Sequence, residues 1–313
     1  MKDIEILSLG PFYAPAFELM EREFTVHKLW QAKDPAALMA EVASRIRGIQ
    51  ATHRDKTDAR LMDALPKLEI ISCFGVGVDG VDLEAARKRG LMVTNTPEVL
   101  NECVADLAMG LTLATVRRIS LGDRFVRAGN WLKGPLPFTR KVGGKIMGIL
   151  GYGRIGKAIA KRAEAFGMRI VYHGRHEQPG VEHRYYASLT EMARDCDVLL
   201  AICPGGAATR HIVNAEVLKA LGPEGTLINV ARGSVVDEQA LVKALADGSL
   251  GAAGLDVFES EPNVPEALFT MDQVVLQPHV ASATHETRMA MGVLTADNLR
   301  AHFAGKPVLT PVA

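Results

Sequence analysis

Aromatic residues make up only 5% of the 313-residue chain, and cysteine occurs four times. Cys73, Cys103, Cys196 and Cys203 form no CxxC pair, and Cys73, Cys196 and Cys203 lie in or at the ends of apolar runs. That spacing points away from a disulfide framework or a thiolate metal cluster, and the thiols read as small buried hydrophobes of a reducing compartment. Neither sign of charge is in excess, since Lys plus Arg and Asp plus Glu both number 36. The balance removes the electrostatic ground for a nucleic-acid or anionic-membrane partner. No apolar run approaches the ~18 residues of a membrane span. The opening MKDIEILSLG reads as a short alternating strand and lacks the apolar core of a signal peptide. A soluble cytoplasmic protein without a bound metal is expected.

What the chain has in quantity is apolar residues, 48% of the total, enough to fill two cores. Short apolar runs alternate with helical patterns, the mark of parallel α/β layers. In the first third IEILSL, RGIQAT, LEIISCF and LMVTN read as strands. A helix over 82–89 has Asp82 to cap its start, Arg87, Lys88 and Arg89 in its last turn, and Gly90 to end it. After the NTP break at 95–97, a long apolar helix runs from about Glu98 to Arg118. The middle section supplies KIMGIL, RIVYH, DVLLAI, GTLINV, AAGLDVF and QVVLQP as strands, with a helix over 154–166. The last helix has Met289, Val293, Ala296, Leu299 and Phe303 on its inward face and is expected to return to the first domain. The reading is two Rossmann-like, doubly wound parallel-sheet domains with a cleft between them. The first spans 1–97 plus 284–313 and is discontinuous; the second spans 98–283.

Two stretches match GxGxxG, namely FGVGVDG (Gly75, Gly77, Gly80) and GYGRIG (Gly151, Gly153, Gly156). A pyrophosphate on a helix N-terminus wants backbone N–H donors and no nearby anion. The first loop carries Asp79 and is followed by Asp82, whereas the second has no acid and contributes Arg154. The nucleotide is therefore assigned to 151–156. The glycines of either loop also suit a simple tight turn. The amides of Val76 and Gly77 in the first loop could grip a small anion such as a carboxylate.

Arg232 follows the strand GTLINV, Glu261 follows the next strand, and His279 follows the one beyond. Residues just after successive parallel strands gather at the carboxyl edge of the sheet, where ligands bind. Arg232 offers a planar fork for a carboxylate or a polarised carbonyl oxygen. His279 is the natural proton donor, and Glu261 beside it would favour the imidazolium and orient the ring. Each residue alone could be an ordinary surface pair or a strand-end hydrogen bond. The ordered trio favours catalysis.

GYGRIG, NVARGSVVDEQAL, AGLDVFESEP and PHVASAT, in this order, resemble the D-isomer-specific 2-hydroxyacid dehydrogenase family. FGVGVDGVDL and NTPEVLNECVADLAMGL are similar to its substrate loop and interdomain helix, so the likeness covers nearly the whole chain. Within the family the chain most resembles short glyoxylate/hydroxypyruvate reductases. The resemblance implies hydride transfer from NAD(P)H to the keto carbon of a 2-oxoacid while His279 protonates the oxygen. Arg232 would hold carboxylate and carbonyl, Glu261 would support His279, and Val76 and Gly77 would hold the carboxylate from the other domain. Leu100, Trp131, Phe138 and Met289 are candidates for substrate selection. Ile155, Cys203, Pro204, Thr209, Val230, Ala231 and Ala281 would line the cofactor, with Asp256 at the nicotinamide carboxamide. The stretch RAGNWLKGPLPFTR would form a homodimer and carry Trp131 to the partner's site; local packing is the alternative.

The strand RIVYH ends in His173, Gly174, Arg175 and His176, with no acid until Glu177. An acid there would bond the ribose hydroxyls and repel a 2′-phosphate. Its absence, with Arg175 as a phosphate-binding fork, predicts NADPH as cofactor and weaker binding of NADH. Competing readings are a 2-ketoaldonate or hydroxyphenylpyruvate reductase and, from another class, a nucleotide-sensing binding protein on the same fold.

Overall fold

The computed structural model describes residues 1–312. It divides into two compact units, one of Met1–Leu100 with the segment from Ser282 onward, the other of Asn101–Ala281.

The N-terminal unit holds β1 (Glu5–Ser8), β2 (Thr25–Lys28), β3 (Ile46–Thr52), β4 (Ile70–Phe74) and β5 (Met92–Thr94). They form one five-stranded sheet in the order β2-β1-β3-β4-β5, with every pair parallel. Every side chain of β4 is buried, as both faces of a parallel sheet demand. The covering helices include α1 (Ala14–Glu23), α2 (Pro35–Val42), α3 (Ala59–Asp63) and α4 (Leu83–Lys88). Asp34, Asp58 and Asp82 cap α2, α3 and α4 by accepting bonds from the amides of Ala37, Leu61 and Ala85. The glycine loop 75–80 therefore does not open a helix directly, because α4 starts at Leu83 behind its own aspartate cap.

The second unit carries α5 (Asn101–Val116), α6 (Ile119–Arg127), α7 (Arg154–Ala165), α8 (Leu189–Asp195), α9 (Ala215–Leu221) and α10 (Glu238–Ala246). Its strands are β6 (Ile146–Leu150), β7 (Arg169–His173), β8 (Arg184–Tyr185), β9 (Val198–Ala201), β10 (Thr226–Asn229), β11 (Ala252–Leu255) and β12 (Val274–Leu276). The seven-stranded sheet runs β12-β11-β10-β9-β6-β7-β8, all parallel. On one face Met109 of α5 and Ile159 of α7 pack with Ile149 and Tyr172. On the other Met192, Leu218 and Leu241 of α8, α9 and α10 pack with Leu199 and Leu227. Strand order reverses between β6 and β9, which creates a ligand-binding crevice at their carboxyl ends.

α11 (His285–Phe303) returns to the N-terminal unit and packs on α1 and β4. Its inward face differs from the apolar row expected. Ala296 and Leu299 are buried, but Val293 is 36% exposed, and Thr287, Met291, Thr295 and Asn298 fill the interior. These polar groups are tolerated because they are bonded: Thr295 Oγ1 donates to Met291 O (2.9 Å) and Asn298 Nδ2 to Leu294 O (2.9 Å). The helix expected from Glu98 starts at Asn101, since Glu98 has a left-handed φ of 70°. Among the described residues no helix is long and apolar enough to cross a membrane.

Candidate active site

The loop from β6 into α7 is built by its glycines. Gly151 has φ of 102°, and a Cβ there would sit 2.6 Å from the backbone nitrogen of Cys203. The turn thus needs glycine twice over, for its left-handed φ and for the close pass of the segment after β9. A Cβ on Gly156 would lie 2.4 Å from Gly151 O, so only glycine lets α7 settle on the turn. Gly153 caps α7 without a side-chain bond, and no acid occupies the first turn. No side chain caps the first amides of α7, and the cradle fits a dinucleotide pyrophosphate. Arg154 is exposed at the helix start, while Ile155 packs against the core.

β7 ends at His173, whose Nδ1 donates to Tyr186 O at 2.8 Å while its ring stacks beside Tyr185. Tyr185 Oη donates to Gly174 O (3.2 Å). Farther on, Gln178 donates through Nε2 to Tyr152 O (2.7 Å) and through its backbone to Tyr172 Oη (2.8 Å). The bend between these anchors presents Arg175 and His176 to solvent. Gln178 had no signal in the sequence, since its partners lie 6 and 26 positions away.

After β9, Cys203 is buried, and burial pushes its thiol up to about 11. Pro204 is exposed, and its carbonyl accepts from Thr209 Oγ1 at 2.7 Å, which closes the loop 204–209. Val230 and Ala231 are buried just past β10.

Arg232, Glu261 and His279 stand beyond the carboxyl ends of three adjacent strands, β10, β11 and β12. Arg232 is half-buried, and its Nη1 donates to Ala231 O (2.7 Å). A Cβ on Gly233 would fall 1.9 Å from the carbonyl carbon of Phe258, so the Arg232 loop presses directly on the segment leading to Glu261. Glu261 accepts from Phe258 N (3.2 Å) and meets Nδ1 of His279 at 2.8 Å. His279 has φ of 57° and donates its backbone N–H to Asp256 O (2.8 Å). The fully buried Asp256 carboxylate accepts from the amides of Val280 (2.8 Å) and Ala281 (3.0 Å). Burial raises the Asp256 carboxyl above the usual range, and these two amides oppose the rise. These three bonds make Asp256 the anchor of the turn that carries His279.

Behind the trio, Glu259 accepts from Arg210 Nη2 (2.7 Å) and lies 2.9 Å from His211 Nε2. Its backbone N–H donates to Glu238 (3.2 Å), whose carboxyl burial and the nearby Glu259 charge push up.

Val76 and Gly77 follow β4 in the N-terminal unit, where Val76 O accepts from Asn95 Nδ2 at 2.8 Å. Leu100 is buried and Met289 half-buried in that unit. In the second unit Trp131 is 69% exposed, Leu132 94%, and Phe138 fully so, while Leu136 is half-buried and Thr139 accepts from Arg117 Nε at 3.1 Å. α6 beside it has no buried residue.

The model of the D-isomer specific 2-hydroxyacid dehydrogenase NAD binding domain matches residues 109–281. The chain is 47% identical over 312 residues to glyoxylate/hydroxypyruvate reductase A of Arabidopsis thaliana, covering 100% of both. It is 48% identical over 312 residues to hydroxyphenylpyruvate reductase of Plectranthus scutellarioides, again covering 100% of both. Its fold is similar to that of an NADPH-dependent glyoxylate/hydroxypyruvate reductase from Sinorhizobium meliloti, solved with NADP and malonate. That match has a TM-score of 0.92 and 46% identity, covering 99% of this chain and 97% of the other.

Proposed function

Because the chain belongs to the D-isomer-specific 2-hydroxyacid dehydrogenase family, we propose that it reduces small 2-oxoacids, glyoxylate and hydroxypyruvate foremost, to D-2-hydroxyacids with NADPH. The observation that carries the reading is the His279–Glu261 pair at 2.8 Å, set on the same sheet edge as Arg232. Reduced nicotinamide, when bound, supplies hydride to the keto carbon. Nδ1 of His279 is tied to Glu261, so Nε2 is left to hand a proton to the carbonyl oxygen as it gains charge. Glu261 stabilises the imidazolium before that transfer and orients the ring throughout. Arg232 offers its fork to the substrate carboxylate and carbonyl, and the amides of Val76 and Gly77 receive the carboxylate.

The amides that open α7, with Gly151, Gly153, Arg154 and Gly156, would hold the cofactor's pyrophosphate. His173 and Gly174 shape the end of β7, and Arg175 takes the 2′-phosphate. Support comes from the lack of an acid at 173–176 and from the NADPH-dependent relative of known structure. The exposed apolar residues around Trp131 support a homodimer, and the composition supports a cytoplasmic setting.

Hydroxyphenylpyruvate is the second substrate reading, favoured by the 48% identity to a reductase of that name. The test is a steady-state panel of glyoxylate, hydroxypyruvate, 2-ketogluconate and hydroxyphenylpyruvate, each with NADPH and with NADH. Highest kcat/KM on the two small acids with NADPH is expected. Tight NADPH binding with no turnover on the panel would make the protein a nucleotide sensor. Arg175→Ala should weaken NADPH roughly ten- to a hundredfold, the worth of one charge-assisted contact, and leave NADH unchanged. Equal binding of both cofactors by parent and variant would remove the 2′-phosphate assignment.

A further inference from the structure

Asn95 and Thr96 hold both peptide planes of the loop that follows β4. Asn95 Nδ2 donates to Val76 O at 2.8 Å, and Thr96 N donates to Gly75 O at 2.9 Å. In a trans peptide the C=O of one residue and the N–H of the next point in opposite directions. Fixing Gly75 O therefore fixes where Val76 N–H points, and fixing Val76 O does the same for Gly77 N–H. A third bond, from Gly75 N to Thr96 Oγ1 (3.0 Å), clamps the start of the loop.

The segment that grips the loop is itself held from the core. Thr310 Oγ1 donates to Asn95 O (2.6 Å), and Asn95 N donates to Thr310 O (3.3 Å). Asn298 of α11, fully buried, accepts from the amides of Leu309 (2.9 Å) and Thr310 (3.1 Å). Its Nδ2 also donates to Thr310 Oγ1 at 2.8 Å. Farther along, Pro311 bridges Thr94, and Val312 N donates to Val93 O (2.7 Å). The segment 309–312 thus lies along β5 as an added edge, and hydrogen bonds run from α11 to the loop without a gap.

We propose that Asn95, backed by Thr310 and Asn298, is the positioning residue that aims the Val76 and Gly77 amides at the substrate's carboxylate. The inference rests on the reading of that loop as the carboxylate-binding loop of a 2-oxoacid reductase. Asn95 does not touch the substrate; it removes the rotational freedom that would otherwise be lost on binding. A loop preset this way gains affinity for every 2-oxoacid alike, because the carboxylate is the part they share.

The test compares the parent with Asn95→Ala, Thr310→Val and Thr310→Ser. KM and kcat for glyoxylate, Ki for oxalate, the NADPH dissociation constant and Tm are measured for each. Asn95→Ala should raise KM and the oxalate Ki about tenfold, with NADPH affinity unchanged and kcat within a few-fold. Thr310→Val should move KM and Ki in the same direction, and Thr310→Ser should restore them. Should Asn95→Ala fail to fold, the Thr310 pair decides alone. Unchanged KM and Ki in a folded variant, or a loss confined to kcat or Tm, overturns the proposal. A parent that binds NADPH but reduces no 2-oxoacid would instead overturn the reading on which it rests.

Discussion

Nδ1 of His279 lies 2.8 Å from Oε2 of Glu261 and 3.0 Å from Oε1. An ionised carboxylate only accepts, so the contact sets the ring proton on Nδ1 and leaves Nε2 as the exchanging atom. Glu261→Gln keeps the size and one acceptor but removes the charge. A charge-assisted bond contributes ~1.5–3 kcal/mol, so kcat should fall roughly ten- to a hundredfold. His279→Ala removes the proton donor and should cost on the order of 10²–10⁴ in kcat. NADPH affinity, read by fluorescence titration, should hold in both variants. Full kcat in Glu261→Gln would reduce the pair to a structural contact.

Gly156 faces the carbonyl of Gly151, and a methyl group there would meet backbone at 2.4 Å. No rotamer relieves that contact, so Gly156→Ala must shift the start of α7 away from the turn. Overpacking of this kind costs typically ~1–3 kcal/mol, and the shift also moves the amides meant for the pyrophosphate. Gly156→Ala should therefore lower Tm and weaken NADPH and NADH together. Gly153→Ala, where a Cβ meets nothing within 4 Å, should leave Tm nearly unchanged. A normal Tm with normal cofactor binding in Gly156→Ala would contradict this packing.

The sheets were readable because central parallel strands are apolar on both faces, and every strand read from the sequence is present. The edges were not. β2 (TVHK) and β8 (RY) are half-exposed, short and polar, and acquire strand geometry only from the neighbour they pair with. α11 misled for a related reason, since hydrophobic periodicity cannot see that Thr295 and Asn298 are buried with their bonds satisfied, Thr295 by the helix itself and Asn298 by the helix and by the segment 309–310. Arg232, Glu261 and His279 stood out because a strand-end position is a matter of local order along the chain. Asn95 did not, because its partner Val76 lies 19 positions away and meets it only when β4 and β5 pair.

The carboxyl of Glu238 is raised above its ordinary value of 4.5 by burial, with the Glu259 charge adding to the rise and the Glu259 amide opposing it. An acid whose folded pKa is raised binds more proton folded than unfolded between the two values. The parent's stability should therefore fall as pH rises from 4.5 through the raised value. Glu238→Gln retains an acceptor for the Glu259 amide and cannot ionise. Its Tm relative to the parent should rise with pH across that window and level off above it. Paired melts at pH 4, 5, 6 and 7 would check the sign, and a flat difference would mean that the buried charge is fully compensated.

Leu132 and Phe138 are held almost wholly in solvent, with Trp131 next to them and α6 lacking any buried residue. A side chain exposed to this degree adds nothing to the folding of its own subunit, so removing it should not lower the stability of a monomer. Burying one such side chain against a partner contributes ~1.5–3 kcal/mol, or roughly ten- to a hundredfold in dissociation constant. Leu132→Asp with Phe138→Asp should therefore turn a dimer into a folded monomer at micromolar concentration, as light scattering coupled to gel filtration would show. A parent already monomeric under those conditions would dispose of the dimer. Trp131→Ala asks a separate question, whether the indole reaches the substrate of the partner subunit. If it does, the variant's rate on bulky 2-oxoacids should rise relative to its rate on glyoxylate. Unchanged relative rates in a protein that remains dimeric would confine Trp131 to the interface.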